Sequence, residues 1–455
     1  MAERLSGLDV TYLTFDGGPM PMNTGGLVVL GPGPNGETLT ARRLTELIAD
    51  RLHLLPRYRQ IVHPAPSGLI WTDDRGFELM RHVRHHRLPA PGGGAELAGL
   101  AGRLHATALD PRHPLWEAHA IEGLAGGRSA LLMRWQHAMV DGMSGIEVAR
   151  VLFDAKPDVS AKGPQPWAPA DPQPMDELIA EAITAREATR LANASEAIAD
   201  LIDPMRALDR AAGFLDGWIA QLEATRGDRR FRESSDSVRY GLATIPDLPL
   251  RTAARKLGVG MDHIVLTLAA GGVADLLEAR GDGGPDEIIR TVVPVAVPKR
   301  SRREVLGNSA SYYIAPLPVS LMQPLDRLAA IVDTVSEIET RAQVATISTM
   351  LDGLDRLSPW VVASAAKAVS GSGSVDLVVS YVRGARRRLW MAGLPHEVTH
   401  PLLPVGPFVR LMVGAVSLGG ALGLGVTADQ AAVPELDFLL HGIEQTAEEL
   451  VRAAG

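Results

Sequence analysis

The 455 residues are 46% hydrophobic and 22% charged, enough apolar material for a sizeable core and a length that favours two or three domains. A formal net charge of -8 and only 4% aromatic residues argue against nucleic acid as the main partner, because phosphate backbones attract cationic surfaces and bases stack on exposed rings. The absence of cysteine excludes thiol nucleophiles, disulfides and cysteine metal sites, and it suits a reducing, cytoplasmic setting.

In chain order, the opening MAERLSGLDV carries acidic Glu3 and no apolar segment, unlike a secretory signal. GGLVVLGP (25–32) reads as a strand ending in a Gly/Pro turn, and LTARRLTELIADRL (39–52) as an amphipathic helix. His82, His85 and His86 lie close together, but Arg81, Arg84 and Arg87 surround them with no carboxylate adjacent in sequence, which argues against a metal there. LLMRWQ (131–136) reads as a strand, after which Ile146, Ala149, Leu152 and Phe153 recur at helical spacing. His137, Asp141 and Gly142 therefore fall at a strand-to-helix junction, where side chains can be presented to a cleft.

The proline-dense stretch 155–177 can be neither helix nor central strand and reads as an extended linker. Residues 175–225 are alanine-rich and helix-forming, with Asp203-Pro204 predicted to break them into two helices. Leu178, Ile179 and Ile183 lie at helical spacing there, consistent with a helix packed on the body or facing lipid. Beyond 235 the mixed pattern returns, with a helix over 262–277 and strands over 288–297 and 311–320. The uncharged run 411–428 reaches the length of a short membrane span, but Gly419 and Gly420 mid-run predict a hairpin of two buried antiparallel strands. The expected architecture is mixed α/β (α+β): an N-terminal domain over 1–160, a linker and helical connection over 161–234, and a C-terminal domain over 235–455.

A neutral imidazole can accept an alcohol proton as the oxygen attacks a carbonyl, so His137 is a candidate general base. If the strand continues to it, His137 shares a face with Leu131, Met133 and Trp135, while Gln136 projects to the other. One histidine among 13 is weak by itself, as is His-x-x-x-Asp-Gly alone. Ser144-Gly145 lacks the nucleophile elbow, and neither a phosphate loop nor a dinucleotide fingerprint is present.

Several blocks in order are more specific. RLSGLD (4–9) with PMNTGG (21–26), ALDPRHPLWEAHAIEGL (108–124), QHAMVDG (136–142), LGNSASYYIAPLPV (306–319) and GVTADQAAVPELD (425–437) make the chain resemble, almost end to end, the bacterial wax ester synthase/acyl-CoA:diacylglycerol acyltransferase family. That family lies within the chloramphenicol-acetyltransferase-like superfamily. The resemblance implies two chloramphenicol-acetyltransferase-like halves with a tunnel between them. It also implies direct transfer of a long-chain acyl group from acyl-CoA to diacylglycerol or a fatty alcohol. His137 would act as base, with no acyl-enzyme, no metal and no cofactor beyond acyl-CoA as co-substrate. Asp141 would hold the loop, Gly142 would allow the tight turn, and Trp116, Asp262 and Asn308 would shape the substrate site. Peripheral attachment to the inner membrane face or a lipid droplet stays open.

Three departures stand out. Gln136 replaces the first motif histidine, and Met261-Asp262 replaces an Asn-Asp pair. SYVRGA (380–385) stands for Thr-Asn-Val-Pro-Gly-Pro, which predicts a looser segment carrying Arg383. Two alternatives follow: transfer onto a specialised lipid or from a carrier protein, and a weakly active or non-catalytic acyl-CoA- or lipid-binding paralogue.

Overall fold

The computed structural model describes residues 3–16, 20–66, 68–139, 142–157, 163–202, 230–284, 287–296, 310–320, 323–340, 375–406 and 409–455. The first half runs β1 (Glu3–Arg4), α1 (Gly7–Phe15), β2 (Asn23–Leu30), α2 (Ala41–Arg51), β3 (Gln60–Ala65), β4 (Gly68–Asp73), β5 (Val83–Arg87), α3 (Gly94–His105), β6 (Trp116–Glu122), β7 (Ser129–Gln136) and α4 (Gly142–Leu152). Residues 163–174 have no regular structure, as their prolines dictate, and α5 (Met175–Ile202) follows. The expected break at Asp203-Pro204 lies outside the described residues. The second half runs β8 (Val238–Pro246), α6 (Asp247–Leu257), α7 (Met261–Arg280), β9 (Ile288–Ala296), β10 (Ala310–Pro318), α8 (Pro324–Thr340), β11 (Leu377–Arg383), β12 (Trp390–Met391), β13 (Leu394–Leu402), β14 (Leu411–Leu418), β15 (Ala421–Asp429) and α9 (Leu436–Ala453).

These strands make two six-stranded sheets, β12-β13-β2-β7-β6-β5 and β10-β9-β11-β14-β15-β8, beside a small sheet β1-β4-β3. The first sheet is completed from far along the chain: β13 lies antiparallel to β2, with Thr399 opposite Val28 and Leu402 opposite Gly25. The two halves are therefore joined by backbone pairing as well as by side chains.

Burial explains why the elements form. β7 is buried along its whole length, with Leu131, Met133 and Trp135 in one core cluster and Ala130 and Leu132 in the cluster on the other face. α7 is buried from Ile264 to Val273, and a Cβ on Gly272 would come within 2.6 Å of the Leu439 carbonyl of α9. The helix is thus the core of the second half, whose cluster also takes in α8 and α9. Among the described residues no single helix is long and apolar enough to cross a membrane; α6 and α7 pass only as a pair bent by 109°. The uncharged run forms the expected hairpin, β14 antiparallel to β15, turning through Gly419 and Gly420 at φ 66° and 102°. Positive φ at both turn positions is what a tight two-residue hairpin requires.

Candidate active site

His137 is the first residue past β7, and α1 and its C-terminal extension fix it. Ser6 caps α1, its side chain accepting from the Asp9 amide at 3.1 Å while Asp9 accepts from the Ser6 amide at 3.0 Å. At the other end of this helix the Asp16 carboxylate accepts the Met22 amide at 2.8 Å, and the Met22 carbonyl accepts the His137 amide at 2.9 Å. Tyr12, midway along α1, stacks on the imidazole with ring centroids 4.0 Å apart and planes 20° from parallel. The ring of His137 is half-buried. The RLSGLD and PMNTGG blocks thereby acquire a physical role. Asn23, fully buried opposite Gln136, donates to the His105 and Thr107 carbonyls at 2.8 Å each, and a Cβ on Gly25 would lie 2.3 Å from the Met133 carbonyl.

Gln136, the last residue of β7, is fully buried, and His137 lies in the turn that follows, so the strand does not continue to it. The Gln136 amide donates to the Leu115 carbonyl at 3.0 Å, and its side-chain oxygen accepts from the Ala138 amide at 2.6 Å. The residue replacing the first motif histidine therefore pins the turn that carries His137.

The face bearing Leu131, Met133 and Trp135 looks onto a largely apolar cavity of about 620 Å³ between the two halves. Val148 and Leu152 of α4 close one side, and Gly145 brings that helix to within a Cβ contact of 3.8 Å of Trp135. Ser380, Val382, Gly384 and Ala385 close the other, with Thr399, Pro401 and Gly414 between. The segment 380–385 is not loose. Ser380 to Arg383 pair in parallel with β14, and the Gly384 amide donates to the Ser417 carbonyl at 2.8 Å, so sheet pairing replaces proline as the restraint.

His137 and Gln136 follow Trp135 without themselves lining this cavity, and the other site residues expected from sequence are not gathered round it either. Trp116 is fully buried, in register with Trp135 but stacked on His82 at 4.5 Å, with its indole N–H donating to the Tyr58 carbonyl at 2.8 Å. It borders a separate polar cavity of about 240 Å³. Asp262 sits half-exposed in the first turn of α7, its carboxylate 3.3 Å from His263 Nδ1, which holds its pKa below the usual range. With Met261 it lines a different cavity on the far side of β11. Gly142 opens α4; Asp141 and Asn308 lie outside the described residues. Tyr12 was missed from sequence, since nothing in its spacing shows that α1 crosses the end of β7.

The sheet gives the histidine cluster carboxylate neighbours that the sequence did not place beside it. His85 lies 2.5 Å from Glu122, and His86 lies 3.0 Å from His119, itself 3.2 Å from Glu117. Burial lowers the pKa of both His86 and His119, and Arg134 pairs with Glu117 at 2.6 Å. Among the described residues no group of three or more His, Cys, Asp or Glu is arranged to hold a metal ion.

The wax ester synthase/diacylglycerol acyltransferase catalytic domain matches residues 5–259, more than half the chain, and the C-terminal domain of the same family matches 306–451. The chain belongs to this family. As a wax ester synthase/diacylglycerol acyltransferase family member it is an acyl-CoA-dependent O-acyltransferase. It is 28% identical to a Mycobacterium tuberculosis protein proposed to be a diacylglycerol O-acyltransferase, over 99% of this chain and 97% of that one. The solved wax ester synthase/diacylglycerol acyltransferase from Marinobacter aquaeolei VT8 shares the fold, with a TM-score of 0.69, 20% identity and 99% of each chain covered. The starter condensation domain of rhizomide synthetase, solved in complex with C8-CoA, superposes with a TM-score of 0.58 at 15% identity, over all of this chain and 95% of that one.

Proposed function

We propose that this protein transfers a long-chain fatty acyl group from acyl-CoA to the hydroxyl of a diacylglycerol or a fatty alcohol, with His137 as general base. The observation that carries the proposal is the seat of His137, anchored by Tyr12 and Met22 at the end of the strand whose Trp135 lines an apolar cavity shared by both halves. A volume of about 620 Å³ lies in the ordinary range for a pocket that encloses a small molecule. Its apolar lining suits an alkyl chain.

The imidazole takes the hydroxyl proton as the alcohol oxygen attacks the thioester carbonyl. A tetrahedral oxyanion forms and collapses, the C–S bond breaks, and the imidazolium returns the proton to the departing thiolate. Alcohol and thioester become ester and CoA thiol, with no acyl-enzyme. A positioned base of this kind contributes about 10²–10⁴ in rate. Tyr12 and Gln136 act as positioning residues, the first on the ring and the second on the turn. Met175, Ile179 and Ile183 project to solvent at successive turns of α5, a face that would rest on the lipid surface supplying the acceptor. CoA release from a long-chain acyl-CoA, assayed with both acceptors beside His137→Ala, tests the proposal; equal release from both proteins would overturn it.

A further inference from the structure

The far side of β11 carries a second cavity, of about 580 Å³, whose apolar walls carry four arginines. Arg251 and Arg255 reach it from α6, Arg383 and Arg386 from the end of β11 and the turn beyond, against two carboxylates, Asp247 and Asp262. Asp247 is already committed. It ion-pairs with Arg251 and accepts from Ser417 Oγ at 3.1 Å, and Ser417 in turn accepts from the Tyr381 hydroxyl at 3.2 Å. Ser417 and Asp247 are buried, so this relay forms a fixed floor that holds Arg251. Arg255, Arg383 and Arg386 make no ion pair among the described residues, leaving three cations facing the single carboxylate of Asp262. α7 also begins on this cavity, with the Asp262 carboxylate accepting from the amides of its first turn. Arg255 donates to Thr252 Oγ at 3.4 Å, and three guanidinium groups without an ion pair among the described residues favour an anion.

Alternation along β11 separates the two spaces. Ser380 and Val382 face the apolar cavity, Tyr381 faces the cationic one, and Arg383 at the strand end lines both. A ligand that fills both must be apolar at one end, polyanionic at the other, and pass the end of β11 at Arg383. Resting on the acyl-CoA reading above, we propose that the cationic cavity binds the phosphorylated nucleotide end of acyl-CoA, with Arg255, Arg383 and Arg386 as phosphate contacts. The thioester then projects past Arg383 toward His137. Arg383, within the segment that replaces the proline loop, thus acts with Arg255 and Arg386 to select CoA thioesters over shorter thioesters.

The test uses the full chain and an Arg255→Ala/Arg386→Ala variant; both side chains are exposed and outside the core, so folding is checked by an unchanged melting midpoint. Calorimetry measures binding of CoA and of pantetheine, which lacks the nucleotide phosphates, and kcat/KM is measured with acyl-CoA and acyl-pantetheine. The wild type is expected to prefer the CoA form by at least about tenfold in both measurements, and the variant to lose that preference. Higher salt should erode it in the wild type alone. An unchanged CoA affinity, or equal losses for both donors, would overturn the proposal. Turnover that persists with the CoA preference intact in the variant removes the phosphate site and leaves the acyltransferase. Arginine-dependent CoA binding without turnover by the wild type supports the site and removes the transfer reaction.

Discussion

Three histidines that tie the halves together should make the fold sensitive to mild acid. His105 accepts or donates at 3.0 Å to the Leu403 carbonyl, His400 sits 3.0 Å from the Leu424 carbonyl, and His396 sits 2.8 Å from the Thr399 hydroxyl. All three are buried around β13, and burial pushes each down to about 4. In the unfolded chain each returns to about 6.5, so between those values the unfolded state binds more protons and stability falls as pH falls. Going from about pH 7.5 to about pH 5.5, each histidine costs on the order of 1 kcal/mol and the three together a few kcal/mol, a large part of an ordinary domain's stability. Burial depresses His82 and His119 in the same direction, which steepens the loss. Urea unfolding followed by circular dichroism across this range should show the midpoint falling steadily. A His105→Gln/His396→Gln/His400→Gln variant should show a flatter profile. A wild-type midpoint that does not move over the interval would refute the reasoning.

Two further outcomes follow from the site. Tyr12→Ala should lower kcat by up to about tenfold through loss of ring stacking on His137, while Tyr12→Phe keeps the ring and should retain most of the rate. Steady-state kinetics with one acyl-CoA separates them. Val382→Phe fills part of the apolar cavity and should shift preference toward shorter acyl chains, each excluded methylene weakening the donor by about 0.8 kcal/mol, or about fourfold in kcat/KM. Competition between acyl-CoA lengths reads that shift directly.

Local signals survived into the structure where the chemistry itself is local. The Gly419-Gly420 turn, the proline-dictated gap at 163–174 and the alternation of Leu131, Met133 and Trp135 could all be read from neighbouring residues. The placement of β13 could not. LPHEVTHPL contains Pro395 and Pro401, and its partner β2 lies more than 300 residues away, so no short-range pattern selects that pairing. The Glu122 carboxylate beside His85 was hidden for the same reason, because sheet register between β5 and β6 brings the two together. Trp116 and Asp262 were assigned to the substrate site through family resemblance; the fold sets Trp116 opposite Trp135 and Asp262 across β11, on the cavity proposed for the CoA phosphates. His137 stood out in the sequence through the ordered family blocks around it, since one histidine at a strand-to-helix junction is weak by itself. The Tyr12 stack that orients it required the tertiary structure.

His137 is proposed to drive acyl transfer between the two halves. The most direct test is CoA release by the purified full chain with long-chain acyl-CoA and either a diacylglycerol or a fatty alcohol, measured beside a folded His137→Ala variant. The wild type should release CoA only with acceptor present, and the variant should lose about 10²-fold or more of that rate. Release that the variant matches, or that ignores the acceptor, would contradict that proposal.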